Sequence, residues 1–387
     1  MGALFNYLLD VNGSIFSKNQ SFILYISSFG ISILISYFYV LIKELYKPSD
    51  FFSIFFIRTL FCILIAIPIA SVFGHRGINV GWDTYNYIVG YKRIGRYGRT
   101  LLDSLEIGFT YLHIFSYRIF NMKSIGALYP MSFFTVFFIS YGLDLWEKKY
   151  VLPFGLFLFY SYFGLNMQDQ ARQMLAISIV SISYYFYYSG EYRKFTFWIL
   201  FATLFHTSSI LILVLLGFRK INFESNICRI LFYVILLVSI IALFCGMNII
   251  LSKLPSHYQY LLLQISDKSF GKKWIIDVLP FFITCFLLIR IRGEEKNHWG
   301  ERRIGFFTLP FRLGGYKTYF IMRLLYYPGL ISILTACCEL DSDDSNFYFD
   351  YKYRRLFLCL IFFIYFVIEN YFIDTHNVMH YQYVGWK

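Results

Sequence analysis

Long apolar runs with few charges recur along this chain of 387 residues, and they constrain its fold more than any other feature. A helix needs about 20 predominantly apolar residues to cross the roughly 30 Å hydrocarbon core of a bilayer. Runs that reach or approach this length are Ser21–Ile42, Phe51–Phe73, Ser124–Leu143, Val151–Leu165, Arg172–Tyr188, Phe195–Phe218, Ile230–Ile250, Trp274–Ile291, Thr318–Cys338 and Leu356–Phe372. Because a backbone inside lipid must satisfy its own hydrogen bonds, they predict an all-α, polytopic integral membrane helix bundle with about ten transmembrane helices.

Composition agrees with a membrane protein, since 58% of the residues are hydrophobic and only 15% are charged. No polar stretch is long enough to build a soluble core, so residues 1–387 are predicted to form a single transmembrane domain. The seven cysteines lie within or beside apolar runs, without metal-ligand spacing or a disulfide pattern. They are predicted to be packing residues.

Charge bias predicts an orientation for the N-terminal half. Three short basic connections should be cytoplasmic by the positive-inside rule, and they hold Lys43 and Lys47, Lys148 and Lys149, and Arg193 and Lys194. For all three to share one side, Leu105–Phe120 cannot be a simple span and is predicted to be an amphipathic or re-entrant segment. Residues 74–123 then form one large loop on the outer side, near the N-terminal third of the chain.

A few charged and polar side chains interrupt the apolar runs. Such residues usually face a polar cavity and mark a functional site, because a charge near the bilayer centre costs roughly 2.5–3.5 kcal/mol. Gln168–Gln173 opens one run, His206 lies in the middle of another and Arg323 lies inside a third. The outer loop is basic, which indicates either contact with anionic headgroups or an anionic, membrane-presented substrate such as a lipid pyrophosphate. No Gly-rich phosphate loop points to a soluble nucleotide donor.

Five short motifs occur in order from Arg76 to Tyr327. They are Arg76 followed by Gly81-Trp82-Asp83-Thr84-Tyr85, then Glu106-Ile107-Gly108-Phe109, Ala171-Arg172-Gln173-Met174-Leu175-Ala176, Phe205-His206-Thr207-Ser208 and Arg323-Leu324-Leu325-Tyr326-Tyr327. Together they resemble the motifs of EpsG-type, Wzy-like polysaccharide polymerases. The resemblance implies polymerisation of O-antigen or exopolysaccharide repeat units carried on undecaprenyl pyrophosphate, at the outer face of the bacterial inner membrane. It implies membrane lipids as surroundings, a chain-length regulator and a flippase as pathway partners, and no nucleic acid.

Roles for individual residues follow from this resemblance and from the chemistry of glycosyl transfer. Pyrophosphate or glycan binding is predicted for Arg172 and Arg323, with Arg76 as a third clamp and with Gln173 and Tyr326 beside them. Asp83 is the first choice for the base that activates the acceptor hydroxyl, and Glu106 and His206 are alternates. Neither a metal ligand nor a cofactor is predicted. If these groups serve one reaction, at least four of Arg76, Asp83, Arg172, His206 and Arg323 should line one cavity under the outer loop.

Structural roles remain open for the same residues. Asp83 suits a helix N-cap, Glu106 suits the first turn of a helix, and Arg172 can pair with Asp169 at i−3. His206 can be a hydrogen-bonded helix residue, on one face with Thr203 and Thr207. Arg58 is predicted to snorkel to the interface. The cluster Asp341, Asp343 and Asp344 is predicted to be a solvated acidic turn.

Two other functions also fit an arginine-rich membrane interior. A lipid-linked oligosaccharide flippase needs the positive charge but no base, and it often has two pseudo-symmetric halves; no internal repeat is evident here. A membrane acyltransferase that modifies the polysaccharide takes its donor from the cytoplasm, whereas these residues cluster on the outer side. An O-antigen ligase differs from a polymerase mainly in its acceptor.

Overall fold

The computed structural model describes residues 15–47, 50–97, 106–121, 123–213, 326–340 and 348–384. Within those ranges the chain is helical and has no β-strand, only two isolated bridges that pair Ile15 with Gln382 and Arg76 with Tyr383. The predicted all-α helix bundle is therefore confirmed. Predictions for Ile230–Ile250, Trp274–Ile291, Arg323 and the Asp341–Asp344 turn fall outside the described residues.

Eleven α-helices lie within the described residues. In chain order they are α1 (Lys18–Tyr46), α2 (Phe51–Gly74), α3 (Thr84–Tyr97), α4 (Ile107–Ile119), α5 (Ile125–Asp144), α6 (Val151–Phe163), α7 (Asn166–Asp169), α8 (Ala171–Tyr188), α9 (Tyr192–Thr203), α10 (Tyr326–Glu339) and α11 (Tyr348–Phe366). A 3₁₀ turn at Thr207–Ile210 follows α9, and a π-helical stretch at Val367–Phe372 follows α11. The chain divides into two compact units. The first holds Met1–Ile210, Asp341–Tyr351 and Phe362–Lys387, and the second holds Leu211–Leu340 and Lys352–Ile361.

Four described helices are long and apolar enough to cross a membrane. They are Lys18–Tyr46, Phe51–Gly74, Ile125–Asp144 and Lys352–Phe372. At about 1.5 Å per residue, the 24 residues of α2 measure roughly 36 Å, which exceeds the hydrocarbon thickness of a bilayer. Val151–Phe163 and Tyr326–Cys338 are shorter apolar helices.

The predicted continuous helix over Phe195–Phe218 is wrong. Helix α9 ends at Thr203, and the chain turns through Leu204 and Phe205 before the 3₁₀ turn begins. Gly108 N donates to the Leu204 carbonyl at 2.8 Å, and this carbonyl is one that a continuing helix would use for its own hydrogen bonds. Hydroxyl groups also bind carbonyls in this turn. The Thr203 hydroxyl donates to the Leu200 carbonyl at 2.7 Å, and the Ser209 hydroxyl donates to the His206 carbonyl at 2.8 Å. His206 therefore lies in a turn, not in the middle of a helix.

A buried ion-pair cluster lies where α1 and α5 end and α2 begins. Arg58 Nε donates to Asp144 Oδ2 at 2.5 Å, and Lys43 Nζ lies 3.3 Å from Asp144 Oδ1. The Tyr39 hydroxyl donates to the same carboxylate at 2.8 Å. Arg58 is 7% exposed, so the prediction that it snorkels to the interface is wrong. Its charge is compensated inside the bundle because Asp144, at the end of α5, reaches it.

Replacing Asp144 with alanine should reduce the free energy of unfolding by about 3 kcal/mol, because it leaves the buried Arg58 guanidinium without its main partner. Glu147→Ala is the matched control. Glu147 contacts the same guanidinium at 3.2 Å, but its side chain is 62% exposed, so its contribution should stay below about 1 kcal/mol. Thermal unfolding of both variants in detergent measures the difference, and equal losses would contradict this account.

The C-terminal segment, residues 374–384, lies along the start of α1 and the end of α2. Backbone hydrogen bonds join Phe16 N to the Tyr381 carbonyl at 2.8 Å and Val384 N to the His75 carbonyl at 2.7 Å. The Tyr25 hydroxyl donates to the Val378 carbonyl at 3.1 Å. This end of the chain therefore helps to position the loop that begins after α2.

Helices α3 and α4 form the described part of the predicted outer loop and pack together over the start of α5. Their shared core includes Tyr91, Ile94, Phe109, Leu128 and Met131. Helix α4, which matches the predicted Leu105–Phe120 segment, buries one face and exposes a row of apolar residues on the other, namely Tyr111, Phe115 and Ile119. Arg172 and Glu106 meet beside this pair of helices.

Candidate functional site

A break between α7 and α8 separates two charged residues that a continuous helix would place together. Gln170 adopts φ −117° and ψ 41°, outside the helical region, so α7 ends at Asp169 and α8 begins at Ala171. The alternative pairing of Arg172 with Asp169 is therefore excluded, because Arg172 binds Glu106 and Asp169 binds His376. A cation in the first turn is opposed by the helix dipole, so the dipole of α8 does not favour Arg172 at this position.

Arg172 belongs to a cluster with Glu106 and His206. Glu106 Oε2 accepts a hydrogen bond from Arg172 Nη1, and Glu106 Oε1 lies 2.6 Å from His206 Nδ1. Glu106 is 6% exposed, whereas the Arg172 and His206 side chains are 27% and 23% exposed. The cluster therefore has a buried anionic centre and two cationic or basic groups that reach the surface.

Backbone packing explains why Glu106 and His206 meet. Gly108 N donates to the Leu204 carbonyl at 2.8 Å, which ties the start of α4 to the turn after α9. A Cβ at Gly108 would lie 2.9 Å from Leu204 Cβ, so only glycine permits this approach. The Glu-x-Gly spacing thus places a carboxylate beside the histidine turn. Glu106 is the N-cap residue of α4, one position before the first turn considered for it, and its side chain makes no cap hydrogen bond.

The electrostatics keep Glu106 ionised. Burial raises the pKa of Glu106, but the His206 hydrogen bond and the Arg172 charge outweigh it and hold the pKa below its ordinary value. An ionised carboxylate can only accept, so His206 Nδ1 must carry the proton in this contact. In a neutral imidazole, Nε2 is then the free acceptor. His206 is consequently better suited than Glu106 to take a proton from a substrate.

His113 lies near the same cluster but has different properties. It is 1% exposed, its ring centroid is 4.1 Å from that of Phe109, and the Arg172 guanidinium lies 5.2 Å above the Phe109 ring. Burial, followed by the Arg172 charge, lowers the pKa of His113 to about 3. His113 is therefore a neutral packing residue, and the Arg172 guanidinium packs on the neighbouring Phe109 ring.

Arg76 is buried and holds several elements together. Its Nε donates to Thr84 Oγ1 at 2.9 Å, Nη1 donates to the Phe73 carbonyl at 3.0 Å, and Nη2 donates to the Gln168 carbonyl at 2.8 Å. Burial lowers the pKa of Arg76 to about 10, so it stays charged at neutral pH. With 2% exposure, Arg76 joins the ends of α2 and α7 to the start of α3. Direct contact with pyrophosphate would require this side chain to move.

The other predicted site residues are placed as follows. Asp83 is half-buried immediately before α3, and its carbonyl accepts the Tyr87 N–H at 3.0 Å, which fits the N-cap position. Gln173 is buried in the first turn of α8. Tyr326 is buried at the start of α10, in the second unit, and Arg323 precedes the described residues there. The structure thus brings together Glu106, Arg172 and His206, with Arg76 bound to the neighbouring Gln168 carbonyl.

Sequence reasoning missed a second carboxylate–histidine pair. Asp169 Oδ2 lies 2.8 Å from His376 Nδ1, and Asp169 Oδ1 accepts the Trp82 backbone N–H at 2.9 Å. His376 follows the last apolar run and is 207 residues from Asp169, so no local pattern indicated the contact. The polar run around Asp169 was the only available signal. Within the described ranges, no three His, Cys, Asp or Glu side chains are placed to hold a metal ion.

Comparison with known proteins gives one result that covers the site. The family model described as the EpsG family matches residues 58–383, a range that includes Arg76, Glu106, Arg172, His206 and His376. No match to the chain is found among curated proteins or among solved structures. Because the matched range covers most of the 387 residues, the chain belongs to the EpsG family.

Proposed function

We propose that this protein polymerises lipid-pyrophosphate-linked oligosaccharide repeat units at the outer face of the bacterial inner membrane. Membership of the EpsG family implies a polymerase-type membrane glycosyltransferase. The finer proposal names the donor as a glycan on undecaprenyl pyrophosphate, as for O-antigen or exopolysaccharide. The acceptor is one lipid-linked repeat unit.

The observation that carries the proposal is the Glu106–Arg172–His206 cluster. In this glycosyl transfer an acceptor hydroxyl oxygen bonds to the donor's anomeric carbon while the bond from that carbon to the pyrophosphate oxygen breaks. The pyrophosphate leaves with the electron pair, and the hydroxyl proton goes to a base. The protein must therefore supply a base and positive charge close together. This cluster supplies both, with a carboxylate between them.

Each member of the cluster has a distinct role in the proposed reaction. His206 Nε2 accepts the hydroxyl proton, because Nδ1 is committed to Glu106. Glu106 fixes the orientation of the ring and stabilises the imidazolium that forms. Arg172 uses its remaining N–H donors to bind the departing pyrophosphate. Asp83 stays the alternative base, since it lies in the loop that Arg76 anchors.

The same contact supports the proposal of a polymerase over that of a flippase. A flippase for lipid-linked glycans needs positive charge for pyrophosphate but has no use for a histidine oriented by a carboxylate. A hydrogen bond of 2.6 Å between Glu106 and His206 is an arrangement suited to proton transfer. This hydrogen bond therefore favours a glycosyl-transfer reaction over transport of the lipid-linked glycan.

Reconstitution of the purified protein in vesicles tests the proposal. The substrate is the lipid-linked repeat unit extracted from a strain that lacks this gene. We expect a ladder of polymers that differ by one repeat unit, with release of the lipid pyrophosphate. In the deletion strain, surface glycan should carry one repeat unit. Transbilayer movement of the lipid without any polymer would instead identify a flippase and contradict the proposal.

A further inference from the structure

Trp82 has a large aromatic side chain that is fixed by hydrogen bonds and is nevertheless mostly exposed. Its backbone N–H donates to Asp169 Oδ1 at 2.9 Å and its indole Nε1 donates to the Thr375 carbonyl at 2.9 Å. The residue is nevertheless 66% exposed. Two hydrogen bonds to separate parts of the chain fix both the backbone and the ring orientation. The open face of the indole is therefore a preformed surface.

The surroundings of Trp82 are those of a polar site. A tryptophan that anchors a protein in a membrane interface directs its N–H to water and headgroups, whereas this N–H is bound by a carbonyl of the C-terminal segment. No other aromatic ring stacks on the indole in the part of the chain that the structure describes. The face is thus available to a ligand.

Asp169 orients a second group beside Trp82. Its Oδ2 lies 2.8 Å from His376 Nδ1, and His376 directly follows Thr375, which binds the indole. The His376 side chain is 9% exposed, so only a small part of it reaches the surface. Within the described residues the ring's hydrogen bond is made through Nδ1, which leaves Nε2 for a ligand. One carboxylate therefore positions a flat aromatic face and a polar nitrogen.

We propose that Trp82 and His376 form a sugar-binding subsite. The electron-rich indole face packs against the electropositive C–H face of a pyranose ring, and His376 Nε2 hydrogen-bonds one of its hydroxyl groups. The inference rests on the proposed function, which supplies a glycan as substrate. The Tyr87 hydroxyl donates to the Asp169 carbonyl at 3.2 Å and is also hydrogen-bonded to Arg172, so a sugar on Trp82 lies near the proposed pyrophosphate site. The subsite holds a sugar of the repeat unit, while the Glu106–Arg172–His206 cluster acts on the bond that reacts.

Kinetics of the reconstituted protein, with the extracted lipid-linked repeat unit as probe, test the aromatic face. Trp82→Leu keeps an apolar side chain but removes the flat ring, and it should raise KM about tenfold while kcat changes less than about twofold. Trp82→Phe keeps a ring and should stay within about threefold of the wild-type KM. Tyr111→Leu is the matched control, because Tyr111 is 67% exposed on α4 and outside the subsite; its KM should be unchanged.

Two His376 variants separate ligand binding from structural support. His376→Asn keeps a donor near Nδ1 for Asp169 and loses the outer nitrogen, so KM should rise although thermal stability is retained. His376→Gln keeps a polar group near Nε2, so its KM should rise less. A wild-type KM for Trp82→Leu, or equal KM increases for Trp82→Phe and Trp82→Leu, would overturn the subsite. Absence of polymer from the wild-type protein would overturn the proposed function, and the subsite with it.

Discussion

Arg172→Ala should reduce polymer synthesis by about a thousandfold, while the protein still inserts in the membrane at normal levels. The loss follows from the proposed role of the guanidinium, which stabilises negative charge on the departing pyrophosphate; preorganised donors of this kind contribute about 10²–10³ in kcat. Arg172→Lys should recover only part of the activity, because an ammonium group cannot make the planar, bidentate contact. Polymer yield from membranes with equal protein content measures both variants.

The control for Arg172 is Arg93→Ala. Arg93 is exposed on α3, so this variant removes one positive charge from the same outer loop without touching the cluster. It should retain polymer synthesis within about twofold. Removal of Arg172 also leaves the buried Glu106 carboxylate with His206 alone, so thermal unfolding must accompany the activity measurement. Full polymer from a folded Arg172→Ala protein would exclude Arg172 from the mechanism.

Sequence reasoning succeeded best for the long helices. The apolar run Phe51–Phe73 matches α2 almost residue for residue, because lipid thickness sets both the length and the composition of a span. Helix α1 extends beyond its predicted run at both ends. A capping box formed by Ser17 and Gln20 begins it, and Lys47 ends it with a left-handed φ of 42°. Polar caps lengthen a helix without changing its hydropathy signal.

The end of α9 could not be read from hydropathy. The residues around His206 carry no proline or glycine, and the apolar run continues past them to Phe218. The chain turns where the Leu204 carbonyl accepts a hydrogen bond from Gly108 N, which belongs to a distant segment of the sequence. A hydrophobic pattern does not report such a tertiary contact. Consequently the motif placed His206 among the candidate site residues, whereas hydropathy gave it the wrong local structure.

The partners of the charged residues were the least predictable part. Glu106 lies 66 residues from Arg172 and 100 residues from His206, so no periodicity relates them. Order along the chain and family resemblance gathered them as candidates, whereas the geometry shows that Glu106 joins the other two. Arg58 was misassigned for the same reason, since its partner Asp144 is 86 residues away.

Glu106→Gln and His206→Ala should each reduce activity, and the two reductions should be coupled, not independent. Glu106→Gln keeps the shape of the side chain but removes the charge that fixes the protonated nitrogen of His206, so kcat should fall about a hundredfold. His206→Ala removes the proposed base and should cost about a thousandfold, at the upper part of the range for general base catalysis. Rates of polymer formation at saturating lipid-linked repeat unit measure both variants.

The double variant, Glu106→Gln with His206→Ala, tests whether Glu106 acts through His206. If Glu106 acts through His206, its contribution to kcat is already absent from a protein without His206. Adding Glu106→Gln should then reduce kcat less than about threefold further. Independent roles would instead multiply the two losses to about 10⁵. Arg172 supplies an internal check, because Glu106 also binds its guanidinium. A Glu106→Gln protein that raises KM but keeps kcat would mean that the carboxylate positions Arg172 for binding, and the assignment of Glu106 as the residue that orients His206 would be wrong.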